Sequence, residues 1–282
     1  MKNKIPKEFS FKVLLEAYYD CRKNKRNTLQ AIEFEFELEK NITKLYEQIK
    51  NDEYEIGKSI CFICTDPKLR EIWAGAFRDR IVHHLVYNAI KDRFTNQFIL
   101  DTYSCIPNRG TLFGINRVTN FAKKVTRNYS TNAYYLKADI GNYFNSIDKF
   151  ILFEEIKKLV FEPWLLNLIE KIIFHDPKTN VRIKSPKSLI KKLPPYKSLY
   201  NTEQYKGLPI GNLTSQFFSN IYLNKMDQYA KHILKCKYYA RYVDDIIILD
   251  KDHGFLNHAY YKLDNFIKSE LNLWLNNKKK GY

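Results

Sequence analysis

Tyr242-Val243-Asp244-Asp245 places two adjacent carboxylates directly before an apolar run, Ile246-Ile247-Ile248-Leu249. Neighbouring acids beside buried strands repel each other and lose hydration, so their ionised forms are costly unless something compensates. A bound cation removes both penalties. A solvent-exposed Asp-Asp turn is the plain alternative, because Asp is a common turn former. Asp139 closes a second apolar stretch, Leu136-Lys137-Ala138-Asp139-Ile140, where a carboxylate is again expensive. Its plain alternative is a helix N-cap following a strand. Two strands of one sheet could bring Asp139 beside Asp244 although the two are far apart in the chain. Hard oxygen ligands carried on two strands suit Mg²⁺, which keeps several waters and binds substrate phosphates. Two such ions, ~3.5–4 Å apart, can activate an attacking 3′-hydroxyl and stabilise a leaving pyrophosphate.

The acids need strands to hold them, and the pattern supplies these. Residues 133–140 predict a strand, with Tyr135, Lys137 and Asp139 alternating against Tyr134, Leu136, Ala138 and Ile140. Residues 237–242 and 245–249 predict two more, joined by a tight turn at Val243-Asp244. A long helix precedes them: Leu213, Phe217 and Ile221 recur every four residues, beside a stripe of Phe218, Tyr222, Met226 and Ala230. It is entered through 207–212.

Upstream, 8–50 reads as helical, with Leu29, Ile32, Phe36 and Leu38 near helical spacing and an acidic stretch at Glu33, Glu35, Glu37 and Glu39 read as solvated. Residues 61–65 predict a short strand closed by Asp66-Pro67, 80–94 a helix, 107–110 a turn and 111–125 another helix. Residues 151–160 and 164–174 are helical. The basic segment 175–206, holding Pro186, Pro194 and Pro195, reads as an irregular insert. A helix over 258–269 and a last strand over 271–275 complete the chain. Strands and helices mix without strict alternation, so α+β is expected rather than a doubly wound sheet.

Composition narrows the partners. The chain has 282 residues and a net charge of +16, with 45% hydrophobic residues, so neither a disordered tail nor a collagen-like repeat fits. No apolar run approaches the roughly 20 residues that cross a bilayer, and the N-terminus lacks an apolar signal core, so a cytoplasmic protein is expected. Five cysteines at irregular spacing do not form a disulfide framework. Cys61 and Cys64 form a C-x-x-C with no second pair nearby and are not read as a metal or redox site. The positive charge points to a polyanion, and 21 Tyr with 19 Phe favour nucleic acid, because rings stack on bases while Lys and Arg meet phosphates.

Asp139-Ile140-Gly141-Asn142-Tyr143-Phe144, then Gly207-Leu208-Pro209-Ile210-Gly211-Asn212-Leu213-Thr214-Ser215-Gln216, then Tyr242-Val243-Asp244-Asp245 resemble the ordered palm motifs of reverse transcriptases. The likeness extends upstream through 66–72 and 77–84 and covers about 8–280. Within that superfamily, which includes group II intron and retron enzymes, 207–224 most resembles bacterial and phage reverse transcriptases of diversity-generating retroelements. The resemblance implies a right-hand polymerase fold with an N-terminal helical extension over 1–60, fingers over 61–132 and a palm over 133–282 that carries the insert at 175–206. A primer grip and helical thumb normally follow the last motif and have no room after it, so an absent or truncated thumb, or one supplied by a partner, is expected.

The resemblance also assigns roles. Asp139, Asp244 and Asp245 become the catalytic acids and, with Ile140, the site for two Mg²⁺ ions. Lys68 and Arg70 match the cations that hold the triphosphate, through charge-assisted bonds. Phe144 matches the aromatic that blocks a ribose 2′-hydroxyl; a core Phe is the alternative. Ile210 stands where most relatives have Gln that touches the incoming nucleotide. An apolar side chain cannot hydrogen-bond there, so discrimination should fall. Gly211 and Asn212 match positions of close backbone approach to nucleotide and template. Lys278 and Lys279 match a late motif near the leaving pyrophosphate, or else form a basic tail. Arg109, Lys123 and Lys124 are candidates for template phosphates. Gly141-Asn142 replaces a bulkier, charged pair common in close relatives.

The implied activity is RNA-directed DNA polymerisation of a template RNA from a DNA or RNA primer with deoxynucleoside triphosphates, error-prone and associated with a small helical accessory protein, in a bacterial or phage setting and without a membrane. Reverse transcriptases of antiviral defence share some of these motifs. A catalytically silent RNA-binding scaffold is the reading from a different class.

Overall fold

Ser10 starts the first helix, its hydroxyl accepting from the Val13 amide, and Thr28 caps the second by accepting from Ala31. The computed structural model describes residues 9–23 and 25–276. In chain order the elements are α1 (Phe11–Arg22), α2 (Leu29–Phe36), α3 (Leu38–Lys50), β1 (Ser59–Cys64), β2 (Arg70–Ala74), α4 (Phe77–Thr95), α5 (Thr111–Val125), β3 (Tyr134–Asp139) and α6 (Tyr143–Ser146). They continue as α7 (Lys149–Lys157), α8 (Pro163–Phe174), β4 (Val181–Ile183), α9 (Lys187–Ile190), α10 (Leu213–Gln228), β5 (Tyr238–Tyr242), β6 (Asp245–Asp250) and α11 (His253–Leu271). Short 3₁₀ turns sit at Pro195–Lys197 and Leu199–Asn201, and a π-helical turn, Tyr229–Ile233, extends α10.

The chain forms two compact units, each built from two stretches. Phe153–Gln216 joins the chain up to Arg93 in one, and Phe94–Leu152 joins the chain from Phe217 onward in the other. The first unit holds a sheet of order β2-β1-β4, with β2 antiparallel and β4 parallel to β1. Cys61, Trp73 and Leu199 pack as one buried cluster there. The second unit holds the antiparallel sheet β3-β6-β5. On one of its faces Ala240 and Leu249 pack with Tyr103, Phe121 and Val125, which brings α5 onto the sheet. Side chains alternate along a strand, so Ile246 and Ile248, next to Ile247 and Leu249 in β6, point to the other face. They are buried too, and α11 packs on this sheet through Leu256, Ala259, Leu263 and Ile267.

Most predicted elements form, with instructive differences. In α2 the apolar residues Leu29, Ile32 and Phe36 are 77%, 52% and 89% exposed, and it is Ala31 and Phe34 that face inward. Glu35 is not simply solvated: it accepts from Arg22 and from the Tyr18 hydroxyl, tying α2 to α1. The segment expected to be irregular supplies β4, whose backbone pairs with β1 over 59–61. The last predicted strand reduces to a single antiparallel bridge between Leu275 and Ile140. Among the described residues no helix is long and apolar enough to cross a membrane.

Candidate active site

In the second unit, β3 and β6 pair so that Asp139 lies directly opposite Asp245, and β5 pairs so that Tyr242 also lies opposite Asp245. Residues directly opposed across an antiparallel pair project from the same face, within about 5.5 Å of each other at Cα. Asp139, Asp245 and Tyr242 therefore share one face at the end of the sheet. Asp139 is buried and Asp245 is exposed, so one carboxylate anchors the group and the other reaches solvent. Asp244 occupies the turn beside them, and its carbonyl accepts from the Ile140 amide at 3.3 Å. The Asn276 amide donates to the Asp139 carbonyl at 2.7 Å, which fixes the far edge of this strand end.

The turn itself is unusual. Val243 has φ of 55° at the first of two central hairpin positions, where glycine is usual and a β-branched residue is a steric outlier. Its carbonyl accepts from Arg241 Nη1 at 2.8 Å. Arg241 is fully buried and paired with equally buried Asp227 at 2.7 Å. Burial alone would lower the guanidinium's pKa, but the Asp227 carboxylate more than offsets it and the net direction is upward.

After β3 the chain turns sharply. The Gly141 amide donates to the Trp274 carbonyl at 2.9 Å, and a Cβ at Gly141 would lie 2.1 Å from Trp274 Nε1. Asn142 takes the left-handed conformation, φ 45°, and starts α6. The Tyr143 hydroxyl donates to the Ser219 carbonyl at 2.5 Å. Phe144 follows on α6, half-buried, with its ring 5.4 Å from that of Tyr143. The Gly141-Asn142 pair, unexplained by sequence, thus has a physical account: glycine makes room for the Trp274 indole, and Asn tolerates the left-handed turn.

In the first unit the segment 207–212 docks along β2. The Trp73 amide donates to the Ile210 carbonyl at 2.6 Å, and Asn212 Oδ1 accepts from the Gly75 amide at 3.1 Å. Gly211 has φ of +128°, and a Cβ there would lie 2.9 Å from the Trp73 carbonyl oxygen, so this position requires glycine on both counts. Ile210 is half-buried. Lys68 and Arg70, in and beside the β1–β2 hairpin, are exposed and make no ion pair among the described residues. Glu71 on β2 is buried and accepts from the Trp73 indole, the Ser198 hydroxyl and the Leu199 amide, which fastens the insert to the sheet.

Arg109, in the second unit, donates to the Ile99 and Thr102 carbonyls, so its guanidinium is already engaged in holding the chain. Lys278 and Lys279 lie outside the described residues. Among the described residues no three His, Cys, Asp or Glu side chains close around a point that could hold a metal. The donor chemistry nevertheless fits a hard divalent cation: two opposed carboxylates, a third on the adjoining turn and oxygen donors throughout. Sequence reasoning passed over Arg241, Asp227 and Trp274. A lone Arg inside the strand Tyr238-Tyr239-Ala240-Arg241-Tyr242 was the available signal, since a buried guanidinium requires a carboxylate partner.

This arrangement of an antiparallel sheet with acids at one strand end is that of a right-hand polymerase. The reverse transcriptase (RNA-dependent DNA polymerase) family matches residues 65–281, and the chain belongs to it. That family's members are RNA-dependent DNA polymerases. No curated protein matches the sequence. Among solved structures, the chain is similar in fold to telomerase from Candida albicans in complex with a fragment of telomeric RNA, at 9% identity and TM-score 0.55, over 80% of this chain and 41% of that one. It is also similar to apo telomerase from Candida tropicalis, at 11% identity and TM-score 0.54, over 80% and 43%. A form of that enzyme truncated from its C-terminal domain gives 12% identity and TM-score 0.51, over 79% and 49%. The chain spans less than half the length of these relatives.

Proposed function

We propose that this protein copies a template RNA into cDNA from a DNA or RNA primer, with Asp139, Asp244 and Asp245 as the acids of nucleotidyl transfer. The observation that carries the reading is the direct opposition of Asp139 and Asp245 across β3 and β6, with Asp244 next in the chain. Two Mg²⁺ ions suit this donor set, with the Ile140 carbonyl as a further oxygen, and when bound they supply positive charge against the nucleotide's phosphates. The chain's own groups do the rest. Lys68, Arg70 and Lys279 hold triphosphate oxygens by charge-assisted bonds. Gly211, without a Cβ, lets backbone approach the nucleotide, and the Phe144 ring excludes a ribose 2′-hydroxyl. On this reading 1–60 is an N-terminal extension, 61–132 the fingers and 133–282 the palm.

The finer reading is an error-prone polymerase of a diversity-generating retroelement, working with a small helical accessory protein. Ile210 supports it. Its side chain offers no hydrogen bond to the nucleotide, so less binding energy separates a correct pair from a wrong one. Primer extension on RNA tests both levels. Asp244→Asn should lower incorporation by at least about a thousandfold, because a carboxylate that neutralises metal charge contributes several kcal/mol to the transition state. Binding to RNA should persist. Extension by that variant at the wild-type rate would remove the polymerase assignment. Errors concentrated opposite template adenine mark the retroelement enzyme, and an even error spectrum counts against it.

A further inference from the structure

The Val243 turn is strained, and strain of this kind persists only where the surroundings enforce it. Two contacts pin it: the Ile140 amide on the Asp244 carbonyl and the Arg241 guanidinium on the Val243 carbonyl. The guanidinium is in turn fixed from several directions. Asp227 accepts from Arg241 Nε and Nη2, and Asn220 Oδ1 accepts from Nη1 at 3.2 Å. Asp227 is held by the hydroxyls of Tyr239, at 2.6 Å, and Thr102, at 2.9 Å, while Asn220 donates to the Ser104 carbonyl. Backbone bonds from the Arg241 amide to the Asp101 carbonyl and from the Tyr103 amide to the Arg241 carbonyl lock the strand position itself. By strand alternation the Arg241 side chain leaves the sheet on the face opposite Asp245 and reaches the turn from beneath.

We propose that Arg241 is a positioning residue: locked on Asp227, it holds the Val243 carbonyl and so keeps Asp244 and Asp245 presented to divalent cations. The proposal rests on the polymerase reading of those acids. A buried ion pair is a poor source of net stability compared with apolar packing, so its presence here is better explained by what it orients than by what it stabilises. Without the clamp the turn relaxes, and the two carboxylates lose their fixed spacing relative to Asp139.

The test compares wild type with Arg241→Met, and with the double variant Arg241→Met/Asp227→Asn. The double variant leaves no unpaired buried charge and keeps an acceptor oxygen for one of the Tyr239 and Thr102 hydroxyls, while the other can accept from the Asn amide, so it carries the test if the single variant fails to fold. Asn220→Ala removes one support of the guanidinium without any charge change and should act in the same direction. Mn²⁺ affinity is measured by electron paramagnetic resonance without nucleotide, and hydrogen exchange is followed over 240–247. The expected result is Mn²⁺ binding weakened about tenfold or more, as for other groups that orient metal ligands, with faster exchange confined to the turn. Mn²⁺ affinity and turn protection equal to wild type in a folded variant would overturn the proposal. Failure of the underlying reading looks different: wild type itself would then incorporate no nucleotide, or Asp244→Asn would remain active.

Discussion

At the residue scale, the proposed selectivity resides in two apolar side chains whose backbones are firmly held. Ile210 is tied through its carbonyl to the Trp73 amide, so its side chain is presented from a fixed point on β2. Ile210→Gln restores a hydrogen-bonding group at that point and should lower the misincorporation rate by about tenfold, read by sequencing cDNA made from a defined RNA. An unchanged error spectrum would show that this position does not set fidelity. Phe144 is placed by the Tyr143–Ser219 hydrogen bond and the left-handed Asn142. Phe144→Val shortens the ring that would face C2′, and preference for deoxynucleotides over ribonucleotides should fall by about 10²-fold in competition assays. The acids were legible because Asp and an apolar run in sequence already signal a costly carboxylate. Arg241 was not, because its partner Asp227 lies on another element and only the fold brings the charges together.

At the element scale, the short link from β3 to α6 depends on a complementary pair. A Cβ on Gly141 would overlap the Trp274 indole at 2.1 Å, and the Gly141 amide is simultaneously bonded to the Trp274 carbonyl. Gly141→Ala should therefore destabilise the protein by about 1–3 kcal/mol in denaturant titrations, since the Trp274 indole must be displaced from its place against the turn. Adding Trp274→Ala should recover much of that loss; a double variant as unstable as the sum of the singles would refute the pairing. Helices were legible where a turn signal preceded a long helical stretch, as for 111–125, which follows the turn read at 107–110 and forms as α5. β4 was not legible, because the alternation Val181-Arg182-Ile183 is too short to signal a strand and becomes one only by pairing with β1, far away in the chain. The single Leu275–Ile140 bridge illustrates the converse: a strand-like pattern with only one paired position available to it.

At the scale of the whole molecule, a net charge of +16 should make the proposed RNA affinity salt-dependent, while stability against acid rests on a different set of groups. The first unit is assembled from two distant stretches, and His83 joins them: its Nδ1 lies 2.7 Å from the Thr214 hydroxyl, with α4 on one side of the bond and α10 on the other. Burial lowers the His83 imidazole from 6.5 to about 3, and burial likewise lowers His84 to about 4. Below pH 6.5 the unfolded chain takes up protons at these positions and the folded chain does not, so stability falls with pH across that window. The loss for His83 at pH 5.5, one unit below its ordinary value, is on the order of 1 kcal/mol. Glu162, drawn down to about 2 chiefly by its hydrogen bond to Arg93, loses its contribution only as pH falls below 4.5, so it still stabilises fully at pH 5.5 and adds nothing to the loss there. His83→Gln keeps a neutral hydrogen-bonding group beside Thr214 but cannot protonate. Between pH 7 and 5.5 its stability, measured by denaturant titration, should fall by about 1 kcal/mol less than that of wild type. An equal fall in both proteins would mean that the His83 imidazole is protonated in the folded state, and that the join between the two stretches tolerates a charge that its burial argues against.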